Sequence, residues 1–135
     1  MLSGEKPASL PLVVGPAVSG LAAALEDEVH PLPGGCLVWS TAWVLRWEPY
    51  PEALAYELQA LTGEGALPKL CRQREPYLRI EVAANENDQR EGLRDRDIQL
   101  ALHVGQLAYQ VRAVLRTGSV SAWSLPMAVG KVTDP

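Results

Sequence analysis

Apolar residues recur at every second position in a series of short runs from Cys36 onward, and this period constrains the fold more than any other feature. Trp43, Leu45 and Trp47 alternate with Val44 and Arg46, and Tyr56, Leu58 and Ala60 alternate with Glu57 and Gln59. Leu78, Ile80 and Val82 do the same with Arg79 and Glu81, followed by Ile98, Leu100 and Leu102. Tyr109, Val111, Ala113 and Leu115 close the series against Gln110, Arg112, Val114 and Arg116. Such alternation is the mark of a strand with one face buried. Pro49 and Pro51, Gly63 and Gly65, the polar stretch Asn85–Asp88 and Gly105 interrupt the runs where pairing must stop. Thr117-Gly118-Ser119 reads as a hairpin turn, and Ser121–Val132 as a last strand broken by Pro126. The sum is roughly seven short strands with little helix, which favours an all-β sandwich or small barrel over a parallel α/β sheet.

The N-terminal third follows another pattern. Residues 1–16 are punctuated by proline and glycine and predict an extended arm bearing the apolar Leu12, Val13 and Val14. Residues 17–29, AVSGLAAALEDEV, predict a short helix or an irregular segment. Ser19 can cap a helix there, whereas the Glu26-Asp27-Glu28 run opposes the dipole at its C-terminal end. Residues 30–35, HPLPGG, read as a linker. The expected division is an arm and linker over 1–35 and a sandwich over 36–132.

A chain of 135 residues is one domain by length, and it needs neither metal nor disulfide to bury a core. Apolar residues make up 47% and charged residues 21%, as in ordinary globular proteins. The net charge of −4 argues against a duplex nucleic-acid partner, which would need a basic face. Arg90, Arg94 and Arg96 are interleaved with Glu91, Asp95 and Asp97, a solvated mixed-charge face. Cys36 and Cys71 fit no zinc spacing and read as small hydrophobes, with a disulfide left open. The apolar stretch Leu10–Leu25 is broken by Pro11, Gly15, Pro16 and Gly20, so no membrane span is expected. It also matches a secretory signal poorly, which fits cytoplasmic synthesis and incorporation into a virion or other assembly.

Catalytic chemistry is sparse. His30 and His103 read as surface or turn residues, and no nucleophile–base pair follows from spacing. Gly34-Gly35 falls short of a phosphate loop, and Asn85–Asp88 lacks the spaced acids and glycine of a calcium loop. The expectation is a non-enzyme with no catalytic residues, no cofactor and no bound metal.

The segment from Val44 to Leu58, with Trp47, Pro49, Pro51 and Tyr56, resembles the second and third strands of fibronectin type III domains. Tyr109 to Ser124 resembles the sixth strand, its hairpin and the start of the seventh. The resemblance implies a seven-stranded antiparallel sandwich in which Trp47 and Tyr109 face each other and Tyr109 forms a tyrosine corner. It spans roughly 95 residues and leaves the first 35 unexplained. The connections over 63–76 and 85–97 are longer than in that family, and Leu102-His-Val-Gly105 replaces its usual approach to the tyrosine. Ala122-Trp123-Ser124 is also similar to the tryptophan–serine motif of cytokine receptors, read here as a brace in which Arg112 and Arg116 stack on Trp123.

These readings point to a module that binds a protein partner or itself, such as a decoration or tail subunit of a phage virion. One core needs fewer than the four tryptophans present, so the candidate interface comprises Leu12, Val13, Val14, Trp39, Trp43, Trp123, Arg112 and Arg116. In the alternative, residues 8–29 fold back and cover the spare tryptophans. A carbohydrate ligand is permitted by the tryptophans without being demanded. The rival function is a small accessory enzyme or ligand-binding protein with a pocket between arm and sandwich, using His103, Glu57 or the 85–97 loop.

Overall fold

A computed structural model describes residues 11–92, 98 and 107–129. Among these residues seven strands run in the order β1 (Ala22–Leu32), β2 (Cys36–Arg46), β3 (Ala53–Thr62), β4 (Gly65–Gln73), β5 (Tyr77–Asp88), β6 (Leu107–Leu115) and β7 (Met127–Val129). They form a three-stranded sheet, β1-β2-β5, and a four-stranded sheet, β4-β3-β6-β7, with every strand pair antiparallel. The chain is an all-β sandwich.

Alternation explains the core. Trp43 and Leu45 of β2 and Trp47 just beyond it meet Tyr56 and Leu58 of β3 and Val111 and Ala113 of β6. Full burial of a side chain such as Leu58 stabilises the fold by about 1.5–3 kcal/mol. The ring that meets Trp47 is Tyr56, edge-on with centroids 5.2 Å apart, where Tyr109 was expected. Tyr109 packs at the margin of the same cluster. The backbone at 102–105, from which a tyrosine corner would take its acceptor, lies outside the described residues. The strand expected over Ile98–Leu102 lies outside them too, apart from an exposed Ile98.

Two strands differ from expectation. Residues 22–32 form neither helix nor linker but pair along their whole length with β2, from Ala22–Arg46 to Leu32–Cys36. The sandwich therefore begins before Cys36. Leu21, Ala23 and Leu25 pack on the core and alternate with outward Ala22 and Ala24. Alanine on both faces concealed this period, and cross-strand burial overrides the helix propensity of alanine. β4 occupies most of the supposed long connection after Gly63 and pairs with β3 from Tyr56–Gln73 to Thr62–Gly65, with a break opposite Ala60. β5 also extends through Asn85–Asp88, which was expected to be a break.

The segment ahead of β1 joins the two sheets. Val13 makes a parallel bridge to Val120: the Val14 N–H donates to the Val120 carbonyl at 2.7 Å, and the Val120 N–H donates to the Leu12 carbonyl at 2.9 Å. The chain then crosses to the first sheet, burying Val18 in the core. The Glu48 N–H donates to the Ser19 carbonyl (2.9 Å) and the Tyr50 hydroxyl to the Pro16 carbonyl (2.9 Å). Gly15 and Gly20 make the crossing possible. Both have φ of +75°, and a Cβ would lie 2.7 Å from the Tyr50 hydroxyl at Gly15 and 2.8 Å from Glu48 Cγ at Gly20.

Candidate functional site

The outer face of the four-stranded sheet carries the most ordered polar arrangement. Arg112 on β6 sits opposite Glu57 on β3, and both its Nε and Nη2 lie 2.9 Å from Glu57 Oε1. Arg72 on β4 approaches the other carboxylate oxygen at 3.9 Å. On the far side, the Arg112 guanidinium lies 4.4 Å from the Trp123 ring centroid. Bonded to a carboxylate and stacked on a ring, Arg112 keeps only 14% of its side chain exposed. A flat, delocalised cation suits both neighbours. Gln110 extends the row by donating from Nε2 to Gln59 Oε1 at 2.9 Å, and Gln59 donates in turn to the Leu67 carbonyl.

Trp123 is held by the serines around it. The Ala113 N–H donates to Ser121 Oγ at 2.8 Å, while the Ser121 N–H donates to the Ala113 carbonyl at 2.9 Å. Ser124 repeats this exchange with Val111, at 3.0 and 2.9 Å. Each hydroxyl also donates to the carbonyl of the next residue, Ala122 or Leu125. Hydroxyls thus replace carbonyls as ladder acceptors where the chain is too irregular to be a strand, and no buried N–H of β6 is left open at these positions. The three-residue spacing of Ser121 and Ser124, against the two-residue spacing of Val111 and Ala113, was the available signal for this role.

A second surface surrounds the N-terminal segment. Leu12 is 71% exposed, Val13 57% and Leu125 87%. Pro11, Leu12 and Val14 line an open recess of about 770 Å³ with Leu115, Thr117, Gly118 and Ser119. Its side-chain polar groups are the Thr117 and Ser119 hydroxyls, which bond each other at 2.7 Å. Behind it, Val120 packs against Ala55 and Val114.

The candidate interface therefore divides. Leu12, Val13 and Val14 lie together beside the recess, and Arg112 and Trp123 form the stack. Arg116 sits in the exposed turn after β6, and among the described residues only Arg112 stacks on Trp123. Trp39 and Trp43 are not surface residues: they are 1% and 8% exposed on β2, the central strand of its sheet, where β1 and β5 flank them. Val18, Leu21, Ala23 and Leu25 of the N-terminal segment pack in the same core cluster as Trp43. Trp39 Nε1 donates to Asn87 Oδ1 at 2.6 Å, and the Asn87 amide donates to the carbonyls of Asp88 and Gly92, fixing the turn after β5. The buried Nε1 atoms of Trp43 and Trp47 meet no acceptor among the described residues.

Among the described residues, those weighed for chemistry do not converge. Glu57 is bound to arginines on the outer sheet face, away from the recess. His30 is exposed on β1, and His103 lies outside the described residues. Asn85–Asp88 belong to β5, where Asp88 accepts from the Arg90 backbone and guanidinium and its carboxyl is held below the usual range by that pairing. Among the described residues, no three His, Cys, Asp or Glu side chains cluster as metal ligands. Cys36 and Cys71 form no disulfide and lie in different sheets, with Cys71 exposed on an edge strand rather than buried. No helix of the described residues is long and apolar enough to cross a membrane.

Sequence reading missed the outer face of the three-stranded sheet. Arg46 pairs with Glu26 at 2.5 Å, and Arg79 donates to Ser40 Oγ at 2.9 Å. The Arg46 hydrogen bond holds the Glu26 carboxyl below its ordinary range. These side chains and Tyr77 ring Val44, which is only 4% exposed although it faces outward. Charged groups with long apolar stems cover an apolar residue in this way. No family model, curated protein or solved structure matches this chain.

Proposed function

We propose that this chain is a fibronectin type III-like module without catalytic activity, which binds protein or builds an assembly, as a decoration or tail subunit of a phage virion would. The observation that carries the reading is the exposure of Leu12 and Val13 on a segment otherwise fixed to the fold by its backbone. Large apolar side chains held rigidly in solvent favour a partner, because little conformational entropy is lost on docking. Further support comes from the strand order β1-β2-β5 over β4-β3-β6-β7 and from Trp47 and Tyr56 flanking the β2–β3 connection. The virion setting is an analogy of fold.

The recess beside the segment favours one second reading, a small-ligand site between arm and sandwich. Its lining offers hydroxyls and apolar groups, which suit binding better than proton transfer.

Native extracts of the source organism test the assembly reading. The chain is expected to sediment with a larger particle. Sedimentation as a free monomer under the same gentle conditions would contradict it.

A further inference from the structure

The free edges of the two sheets differ in regularity and in charge. β1 is an end strand that pairs with β2 through all 11 residues without a register shift, and among the described residues no strand pairs with its other edge. A long regular edge of this kind is a template for strand addition. The remaining edges are less regular. β5 pairs with β2 through a bulge at Thr41/Ala42, β7 has 3 residues, and the Val120 edge is already taken by Leu12–Val14. β4 is interrupted around Pro68 and is regular over Leu70–Gln73.

Charge selects among these edges. The centre of β1 is Glu26-Asp27-Glu28. Glu26 is offset by Arg46, whereas Glu28 is exposed and joins no ion pair among the described residues. A second β1 would set acids against acids, and β5 offers the further acids Glu81, Glu86 and Asp88. The β4 edge carries Lys69 and Arg72, with Arg74 just beyond it, all exposed. The stereochemistry agrees. Glu26 and Glu28 project to the outer face of their sheet, as Arg72 does beside Glu57 on the other, so joining the edges with both outer faces on one side aligns acids with bases.

We propose that β1 of one copy adds to the Leu70–Arg74 edge of a second copy, a head-to-tail contact between copies of this chain. The inference rests on the assembly reading and names the partner. A heterologous contact leaves one β1 and one β4 edge free at the ends, so it propagates into a ring or a filament instead of stopping at a dimer. Main-chain hydrogen bonds supply the affinity, and the charges set the register and make it salt-sensitive.

Sedimentation velocity of the purified full chain tests this. At low ionic strength the average mass should rise with concentration, and added salt should lower it. Glu28→Lys alone and Arg74→Glu alone, which spares Arg72 and Glu57, should each weaken association about tenfold or more. Mixing these two variants should restore it, because the reversed β1 of one then meets the reversed β4 edge of the other. Circular dichroism of each variant checks that the fold is kept. A wild-type chain that stays monomeric throughout, an association indifferent to both reversals, or a mixture no stronger than its components would overturn the proposal. A monomeric purified chain that still sediments with a particle in native extract defeats this inference and leaves the assembly reading standing.

Discussion

Ser124 and Val111 exchange two hydrogen bonds, one in each direction, with the serine hydroxyl standing where a strand would place its carbonyl. Ser121 does the same with Ala113. Replacing either serine by alanine leaves a buried N–H of β6 without its acceptor. Each substitution should cost about 1–3 kcal/mol in urea unfolding. Because the two sites share one ladder, the double variant should depart from additivity. Losses below a few tenths of a kcal/mol would show that water replaces the hydroxyl.

Arg112 serves two neighbours at once, Glu57 and Trp123. Arg112→Lys keeps the charge but loses the planar fork and the stack, so it should destabilise nearly as much as Arg112→Ala, by about 1–3 kcal/mol. A double-mutant cycle with Glu57→Gln and Trp123→Leu separates the two contributions. Full rescue by lysine would show that only the charge matters.

Gly15 and Gly20 hold the crossing of the N-terminal segment in the left-handed region. Alanine at either position should cost about 1–2 kcal/mol from backbone strain alone. Gly15→Ala should also loosen the Tyr50–Pro16 hydrogen bond, since the added methyl meets the Tyr50 hydroxyl. Faster amide exchange at Val14 and Val120 would report it.

Burial, and secondarily the nearby Cys71, raises the Tyr109 phenol above its ordinary value. The folded state therefore binds this proton more tightly than the unfolded state, whose phenol titrates at about 10. The associated stability is fully present below that unfolded value and is lost as pH rises through the folded one. Alkaline unfolding should be less steep in Tyr109→Phe, and the phenolate absorbance of the folded protein should show one late-titrating tyrosine missing from that variant.

The legible part of the fold was the part with one apolar and one polar face. β2, β3, β5 and β6 carry bulky apolar residues at alternate positions, so their period showed in the chain. β1 escaped because alanine fills both of its faces near Ala22–Ala24, and β4 because Pro68 and Lys69 break the alternation on an exposed edge. Within the candidate interface, local sequence located Leu12–Val14 and the Arg112–Trp123 stack. It misplaced Trp39 and Trp43, which lie buried on β2, a strand made central by its pairing with β1 and β5 rather than by any local mark. Ion pairs such as Arg46–Glu26 were invisible for the same reason: residues distant in sequence meet only once register is fixed.

The claim that this sandwich is an assembly module through its N-terminal segment is tested most directly by sedimentation of native extracts expressing either the wild-type chain or Leu12→Asp with Val13→Asp. Both side chains are mostly in solvent, so the variant should keep the melting temperature of the wild type. The wild type should travel with a larger particle and the variant should be released as free protein. Equal sedimentation of the two would contradict the account.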